Sequence, residues 1–197
     1  APLSVSVSGD TISFLTQRHR FTSPFTPPPF QNHGNYIISL NHFVKWLAEQ
    51  VELAGVDLFT GFSGVEVLYE GDRVIGVRTG DRGIGRDGAR KTMFEAGVDI
   101  HAKVTILSDG VRGNLSKTVL RRFRLDAASQ PQTYALGIKE LWEVPAGRVT
   151  PGTVMHTLGY PLRSEEFGGG FIYGLASNRV SLGFVTGLDY QDPLFDP

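Results

Sequence analysis

The chain changes its secondary-structure pattern near residue 130, and this change constrains its fold more than any other feature. From there on we find no helical period, and turns containing proline or glycine separate four apolar or alternating runs, at residues 133–144, 152–160, 169–176 and 179–188. Short strands bounded by such turns are typical of an antiparallel sheet. We therefore predict a β-rich domain over residues 126–197.

Residues 36–125 instead mix helical and strand patterns. The clearest helix pattern covers residues 41–54, with Asn41 as N-cap and Gly55 just past the end. The segments after it are a strand at 56–59, a hairpin at 65–79 that turns at Gly71 and Asp72, a polar glycine-rich loop at 80–91, a strand through 104–107 and a helix from Asn114. The continuous apolar run at 104–107 is typical of a strand covered on both faces, as in a parallel sheet. This order predicts an α/β arrangement, and with the β-rich domain the whole chain is predicted to have an α+β or α/β fold.

The first 35 residues have a third character. Residues 1–16 alternate around Gly9 and Asp10, which predicts a hairpin of two short strands. The proline-rich segment after it is predicted to be an extended loop, because proline fixes φ and lacks a backbone donor. The phenylalanines of this loop follow no helix or strand period. They either pack on their own domain or form an apolar surface for a membrane or a partner.

Composition excludes several classes of site. The 197 residues include no cysteine, which excludes disulfides, thiolate zinc sites and iron–sulfur ligands within this chain. A net charge of -1 provides no electrostatic basis for binding nucleic acid. The spacing of the histidines matches no metal motif. The first residue is not Met and the last residues read as an interrupted loop, so we expect an internal piece of a longer protein.

The pair Asp109 and Gly110 ends an apolar strand pattern and directly precedes a helix pattern. Ligands in α/β sheets lie at the carboxyl ends of strands, and a helix N-terminus offers free N–H groups to an anion. The motif resembles the acidic-Gly turn of FAD-dependent hydroxylases and their relatives, although a plain strand-to-helix turn explains it equally well. A G-x-G-x-x-G turn in the right setting is missing from the chain, so such a turn would have to precede residue 1.

Three consecutive glycines at 168–170 precede Phe171, Ile172 and Tyr173. Because glycine weakens a strand, this run indicates either a tight turn between strands or a place where a flat ligand approaches the backbone. Phe171 and Tyr173 alternate with Ile172, so one face of the run is aromatic. A quinone would suit such a site, since it has two carbonyl acceptors, a flat ring and an apolar tail.

Long stretches of the chain, taken in order, resemble the electron transfer flavoprotein–ubiquinone oxidoreductase family. They include NHGNYIISLNHFVKWLAEQ, HAKVTILSDGVRGNLSK, HTLGYPL and GGGFIYGL. The resemblance implies a monotopic enzyme of the mitochondrial inner membrane or the bacterial cytoplasmic membrane. Such an enzyme has an FAD domain, a ubiquinone domain and a four-iron four-sulfur domain, and it passes electrons from reduced electron transfer flavoprotein to ubiquinone.

The resemblance also implies site residues and a domain division. Backbone groups of Gly168 and Gly169 would meet a quinone carbonyl oxygen, with Phe171 and Tyr173 lining the site. The resemblance further implies that Asp109 and Gly110 contact FAD. It also implies that four phenylalanines contact the membrane: Phe14, Phe21, Phe25 and Phe30. This chain has Asp109 where the family typically has glutamate, and Tyr160 where the family has tryptophan.

The resemblance implies three segments. Residues 1–35 form a membrane-contacting hairpin and loop, residues 36–125 form part of a two-dinucleotide-binding-type FAD domain, and residues 126–197 form the antiparallel ubiquinone-binding domain.

Two other functions stay open. A related FAD-dependent hydroxylase or isoprenoid reductase would lack the cysteine-bearing domain, and a non-catalytic lipid-binding module would show no redox activity. No side chain is assigned a catalytic role, because the cofactors carry the chemistry and the protein supplies position and electrostatics. The piece by itself is expected to be inactive in the full electron relay.

Overall fold

The computed structural model describes residues 2–3 and 5–190, which form two compact units. One unit combines the chain up to Val56 with the chain from Gln132 onwards, and the other runs from Asp57 to Pro131. These limits differ from the predicted divisions after residues 35 and 125, because early strands pair with late ones. The loop predicted at the end of the chain, beyond Tyr190, lies outside the described residues.

The described residues form thirteen strands, two α-helices and a 3-10 turn. In chain order these are β1 (Val5–Ser6), β2 (Gly9–Leu15), β3 (Arg20–Thr22), the 3-10 turn (Pro28–Phe30), β4 (Tyr36–Ile37), α1 (Leu40–Leu53), β5 (Gly64–Glu70), β6 (Arg73–Thr79), β7 (Arg82–Ile84), β8 (Arg90–Glu95), β9 (Asp99–His101), α2 (Asn114–Phe123), β10 (Ala135–Glu143), β11 (Thr153–Gly159), β12 (Gly168–Leu175) and β13 (Arg179–Gly187).

A six-stranded sheet in the order β10-β13-β12-β11-β2-β3 dominates the first unit. The four predicted late strands are confirmed as β10 to β13, and they pair with one another antiparallel. Strand β2 adds to β11 in parallel, with Ser13 opposite Thr157. The buried side chains of this unit lie mainly on the inner strands, and they include Ile12, Val154 and Val180.

The predicted hairpin around Gly9 and Asp10 is wrong. Both residues belong to β2, and β1 pairs with β4 instead, with Val5 opposite Ile37. The backbone just before β2 is held by the late part of the chain, since the Ser8 N–H donates to the Gly152 carbonyl at 2.8 Å. Long-range pairing, not a local turn, therefore places the first strands.

Helix α1 confirms the predicted helix with a different cap. Ser39, not Asn41, is the N-cap, and its hydroxyl accepts the His42 N–H at 3.5 Å. Gly55 has a φ of +79°, as the predicted position after the helix requires. No residue of α1 is buried. Among the described residues, no helix is long and apolar enough to cross a membrane.

The second unit contains a three-stranded sheet, β5-β6-β9, a hairpin of β7 and β8, and α2. The predicted hairpin with Gly71 at its turn is confirmed, whereas the predicted loop at 80–91 contains β7 and the start of β8. Residues 56–59 and 104–107 form no strand, and Val104 and Ile106 are 75% and 84% exposed. The sheet pairings described in this unit are antiparallel, so the parallel sheet expected from residues 104–107 does not form within it.

Candidate functional site

The glycine run forms the start of β12, between β11 and β13, and not a turn. Gly168, Gly169 and Gly170 lie opposite Thr186, Val185 and Phe184 of β13. On the other side, the register with β11 ends at the pair of Thr157 with Gly170. Gly168 and Gly169 therefore extend beyond the last β11 pair, and this is where the family resemblance predicts a contact with a quinone carbonyl.

The fold itself requires glycine at the first two positions of this run. Gly168 and Gly169 have φ values of +148° and +150°, which L side chains rarely adopt. A Cβ at Gly168 would lie closer than 3.0 Å to the Val185 carbonyl oxygen, and a Cβ at Gly169 equally close to that of Thr157. The two glycines therefore allow the neighbouring strands, β11 and β13, to lie close to the backbone of β12.

Phe171 and Tyr173 share one face of the sheet, as the alternation predicts, and their ring centroids are 4.7 Å apart. The Phe171 ring lies over Gly183, which faces it on β13. A side chain at Gly183 would occupy the place of this ring. The absence of a side chain at Gly183 thus lets an aromatic ring lie flat against the sheet.

His156 completes an aromatic cluster on this face. It lies opposite Phe171 in the register of β11 and β12, and its Nε2 is 3.2 Å from the Tyr173 hydroxyl oxygen. The Phe30 ring packs on the imidazole with centroids 5.2 Å apart. We call Phe30, His156, Phe171 and Tyr173 the aromatic cluster. Sequence reasoning treated His156 as an ordinary histidine, since nothing local marks a contact between residues 17 positions apart.

Burial favours the neutral forms of the two titratable side chains of the cluster. It lowers the pKa of His156 below its ordinary value, an effect that the Asp10 carboxylate opposes, and it raises the pKa of Tyr173. The Asp10 carboxylate is itself fixed by Asn32, whose N–H and side-chain amide donate to it at 2.8 Å and 2.7 Å. The cluster therefore offers a neutral imidazole and a neutral phenol on an aromatic surface.

A cleft of about 450 Å³ lies beside β12, mainly on the face that carries Ile172. Its other lining residues include Leu15, Ile138, Leu182 and Phe184, and Phe171 and Gly183 also border it. Its polar groups already have partners. The Thr157 hydroxyl accepts the Gly170 N–H at 3.1 Å, and Glu140 accepts the Trp142 indole N–H at 2.7 Å.

The four phenylalanines predicted to contact a membrane lie on β2, on β3, in the loop after β3 and in the 3-10 turn. Phe14 and Phe21 are cross-strand neighbours, and each is more than half exposed. Phe25 is also exposed but lies near Asp10, because the Thr26 hydroxyl donates to the Asp10 carbonyl at 3.3 Å. At about 3.3 Å per residue, Asp10 is roughly 13 Å along β2 from Phe14. Phe30 belongs to the aromatic cluster and is half-buried.

Asp109 and Gly110 lie just before α2, as predicted. The Asp109 carboxylate accepts the N–H groups of Leu115 and Ser116 at 2.8 Å and 3.1 Å, and it also accepts the Ser116 hydroxyl. These bonds, the hydroxyl first, hold the pKa of Asp109 below its ordinary value. Gly110 has a φ of +82°, and nothing lies within 4 Å of where its Cβ would be. Gly110 thus leaves open space beside the start of α2, while Asp109 is committed to capping the helix.

The chain matches known proteins over its whole length. The sequence model described as "ETF-QO, ubiquinone-binding" matches residues 134–197, which contain β10 to β13. The mitochondrial electron transfer flavoprotein-ubiquinone oxidoreductases of Bos taurus and Arabidopsis thaliana are 46% and 42% identical to it. Both alignments cover 100% of this chain, but 33% and 31% of the relatives. The chain thus spans about a third of the length of these curated relatives.

Solved structures share the fold at lower identity. A geranylgeranyl bacteriochlorophyll reductase-like protein from Thermoplasma acidophilum has a TM-score of 0.60 at 19% identity, over 92% of this chain and 40% of that one. A myxobacterial chondrochloren halogenase, a variant of FAD-dependent halogenases, has a TM-score of 0.53 at 19% identity, over 94% and 38%. These similarities confirm the predicted α+β class. Over its whole length, the chain is similar to about a third of the length of the electron transfer flavoprotein–ubiquinone oxidoreductases.

Proposed function

We propose that this chain is the quinone-binding part of an oxidoreductase that passes electrons from reduced electron transfer flavoprotein, through FAD and an iron–sulfur cluster, to ubiquinone. The observation that carries the proposal is the match of residues 134–197 to the family's ubiquinone-binding domain. The strands of that segment include the glycine run and most of the aromatic cluster. The related hydroxylase or isoprenoid reductase shares only the fold.

The aromatic face suits a quinone ring better than the cleft does. Phe171 provides a flat surface for stacking, and the Tyr173 hydroxyl and the backbone of Gly168 and Gly169 lie beside it on β12. A quinone gains negative charge as it is reduced. In the cleft, this charge would be repelled by the Glu140 carboxylate. The headgroup is therefore assigned to the face of Phe171 and Tyr173.

The chain contributes only part of the cofactor sites. Gly110 would lie against a polar group of FAD, for which it leaves open space. When bound, FAD supplies reversible electron transfer. The iron–sulfur cluster does not fit this chain, since it contains no cysteine. The cluster ligands are therefore assigned to other parts of the protein.

The exposed phenylalanines support contact with a membrane surface. Phe14 and Phe21 form an apolar pair on β2 and β3, and Phe25 adds a third ring elsewhere. Each phenylalanine buried in lipid would contribute about 1.5–3 kcal/mol, which is enough for several to anchor a protein without a spanning helix. Because the curated relatives are mitochondrial proteins by name, the proposed location is an inner mitochondrial or bacterial cytoplasmic membrane.

The proposal is tested on the intact parent protein by visible absorption. Reduced electron transfer flavoprotein should bleach the flavin and iron–sulfur bands, and a short-chain ubiquinone should restore them. A flavin signal that this donor never bleaches would favour the hydroxylase or reductase. Binding to liposomes without any redox activity would instead favour a lipid-binding module.

A further inference from the structure

We infer that Tyr173 donates a proton to a quinone oxygen and that His156 resupplies it, so that the aromatic cluster is a proton path as well as a binding surface. This inference rests on the proposed function and on the placement of the quinone ring at Phe171 and Tyr173. Reduction of a quinone to a quinol consumes two electrons and two protons, and each carbonyl oxygen gains one proton. A charged oxygen against an aromatic surface is costly, so a donor must lie close to it.

Tyr173 and His156 have the geometry of such a donor and its source. The hydroxyl oxygen of Tyr173 is 3.2 Å from His156 Nε2, within hydrogen-bond reach, and both side chains are half-buried. The two rings meet edge to face at 78°, with centroids 5.8 Å apart. Phe171 also packs on the Tyr173 ring, with centroids 4.7 Å apart. The phenol is thus held in place between the proposed quinone surface and an imidazole.

The proton transfer balances without a change in the net charge of the protein. The electrons reach the quinone from reduced electron transfer flavoprotein through the redox groups of the parent protein. As the quinone oxygen gains electron density, the Tyr173 O–H bond breaks and its proton forms a new O–H bond on the quinone. His156 Nδ1 takes a proton from solvent, and the resulting imidazolium gives its Nε2 proton to the phenolate oxygen. One solvent proton has then moved along this path to one quinone oxygen, the other quinone oxygen takes its proton directly from solvent, and both side chains are neutral again.

The groups that face His156 favour this path. Tyr173 faces it from β12, and the Asp10 carboxylate acts on it from β2. Phe30, from the 3-10 turn, covers the imidazole with an uncharged ring. A transient imidazolium is therefore stabilised by Asp10, whose own position is fixed by the two hydrogen bonds from Asn32.

The test uses the intact parent protein with the variant Tyr173→Phe, which removes the hydroxyl and keeps the ring. We expect kcat for reduction of a short-chain ubiquinone to fall about a hundredfold or more, within the usual range for loss of a general acid. KM and the rate of flavin reduction by reduced electron transfer flavoprotein should be unchanged. Tyr36→Phe is the matched control, since Tyr36 is exposed on β4 away from the cluster.

A second variant, His156→Gln, keeps a polar side chain and removes the titration. It should abolish the dependence of kcat on the ionisation of an imidazole and lower the solvent isotope effect on quinone reduction, which a merely structural hydrogen bond would not do. Unchanged kcat in Tyr173→Phe, or a change in KM alone, would overturn the inference while the proposed function stands. If the unsubstituted protein fails to reduce ubiquinone, the proposed function is overturned and the inference with it.

Discussion

At the scale of single residues, Gly168 shows how strongly the sheet restricts substitution. Its φ of +148° and its proximity to the Val185 carbonyl leave no room for a side chain. We expect Gly168→Ala to lower the free energy of unfolding by about 2 kcal/mol or more, from backbone strain plus displacement of β13. Chemical denaturation of the chain measures this loss. A variant at Gly168 would therefore report on the fold as much as on quinone binding.

The matched control for this prediction is Gly34→Ala. Gly34 also has a positive φ, +85°, but nothing lies within 4 Å of where its Cβ would be. Only the backbone conformation is then penalised, at about 1–2 kcal/mol. Equal losses in the two variants would show that the approach of the neighbouring strand at Gly168 contributes nothing.

A second prediction at this scale concerns the pH dependence of the Asp109 cap. Hydrogen bonds from Ser116 and Leu115 lower the pKa of the folded carboxylate. Its stabilising effect is therefore present above the unfolded value of about 3.9 and is lost as the pH falls through the lower, folded value. We expect Asp109→Asn to destabilise α2 at neutral pH and to converge with the unsubstituted chain in acid. Helical circular dichroism during thermal unfolding at several pH values measures both effects.

The control for the cap is Asp57→Asn, at an exposed position outside any helix or strand. A gap between Asp109→Asn and the unsubstituted chain that stays constant from neutral pH into acid would contradict the role of the ionised carboxylate.

At the scale of elements, β10 is an unprotected edge. Each of its nine residues is exposed, and among the described residues it pairs only with β13. Long exposed edges promote pairing between chains. We expect the isolated chain to self-associate through β10, and Leu141→Lys to reduce this association at least several-fold, because a charge on an edge strand opposes pairing. Sedimentation velocity over a range of concentrations measures the change.

Leu158→Lys is the matched control for the edge. Leu158 is 41% exposed and Leu141 59%, but Leu158 lies on β11, which has a partner strand on both sides. If both variants reduced association equally, exposed apolar surface and not the free edge would be its cause.

The elements also show what local patterns can and cannot predict. Strands β10 to β13 were predictable because turn residues bound each of them and their partners are neighbours in the chain or in the same domain. The pairing of β2 with β11 was not, since the partners lie more than 140 residues apart. Likewise, the apolar run at 104–107 predicted a strand, but a strand also needs a partner, and none lies beside it among the described residues.

The candidate site divides in the same way. Phe171 and Tyr173 were predictable because period-two alternation alone places them on one face. Glycine at 168 and 169 was conspicuous in the sequence, but its cause, the approach of two strands, depends on the register of the sheet. His156 and Phe30 reach the cluster through long-range contacts, which no spacing in the sequence indicates.

At the scale of the whole molecule, the chain consists of two compact units with separate sheets. The first unit joins its early and late segments by pairing β2 with β11, and the second is a continuous segment from Asp57 to Pro131. Each unit therefore has its own long-range contacts and can lose them cooperatively. Such units open with different free energies in native-state hydrogen exchange.

We therefore expect the chain to unfold in two separable transitions, each moved by its own variant. Gly168→Ala should weaken protection from hydrogen exchange in the six-stranded sheet and leave β5, β6 and α2 unchanged. Asp109→Asn should do the reverse, because the carboxylate caps a helix of the second unit. Exchange followed by mass spectrometry at increasing denaturant resolves the two sets of peptides. If either variant lowered protection throughout both units, they would form one cooperative body, and mutational effects at the quinone site could then originate anywhere in the chain.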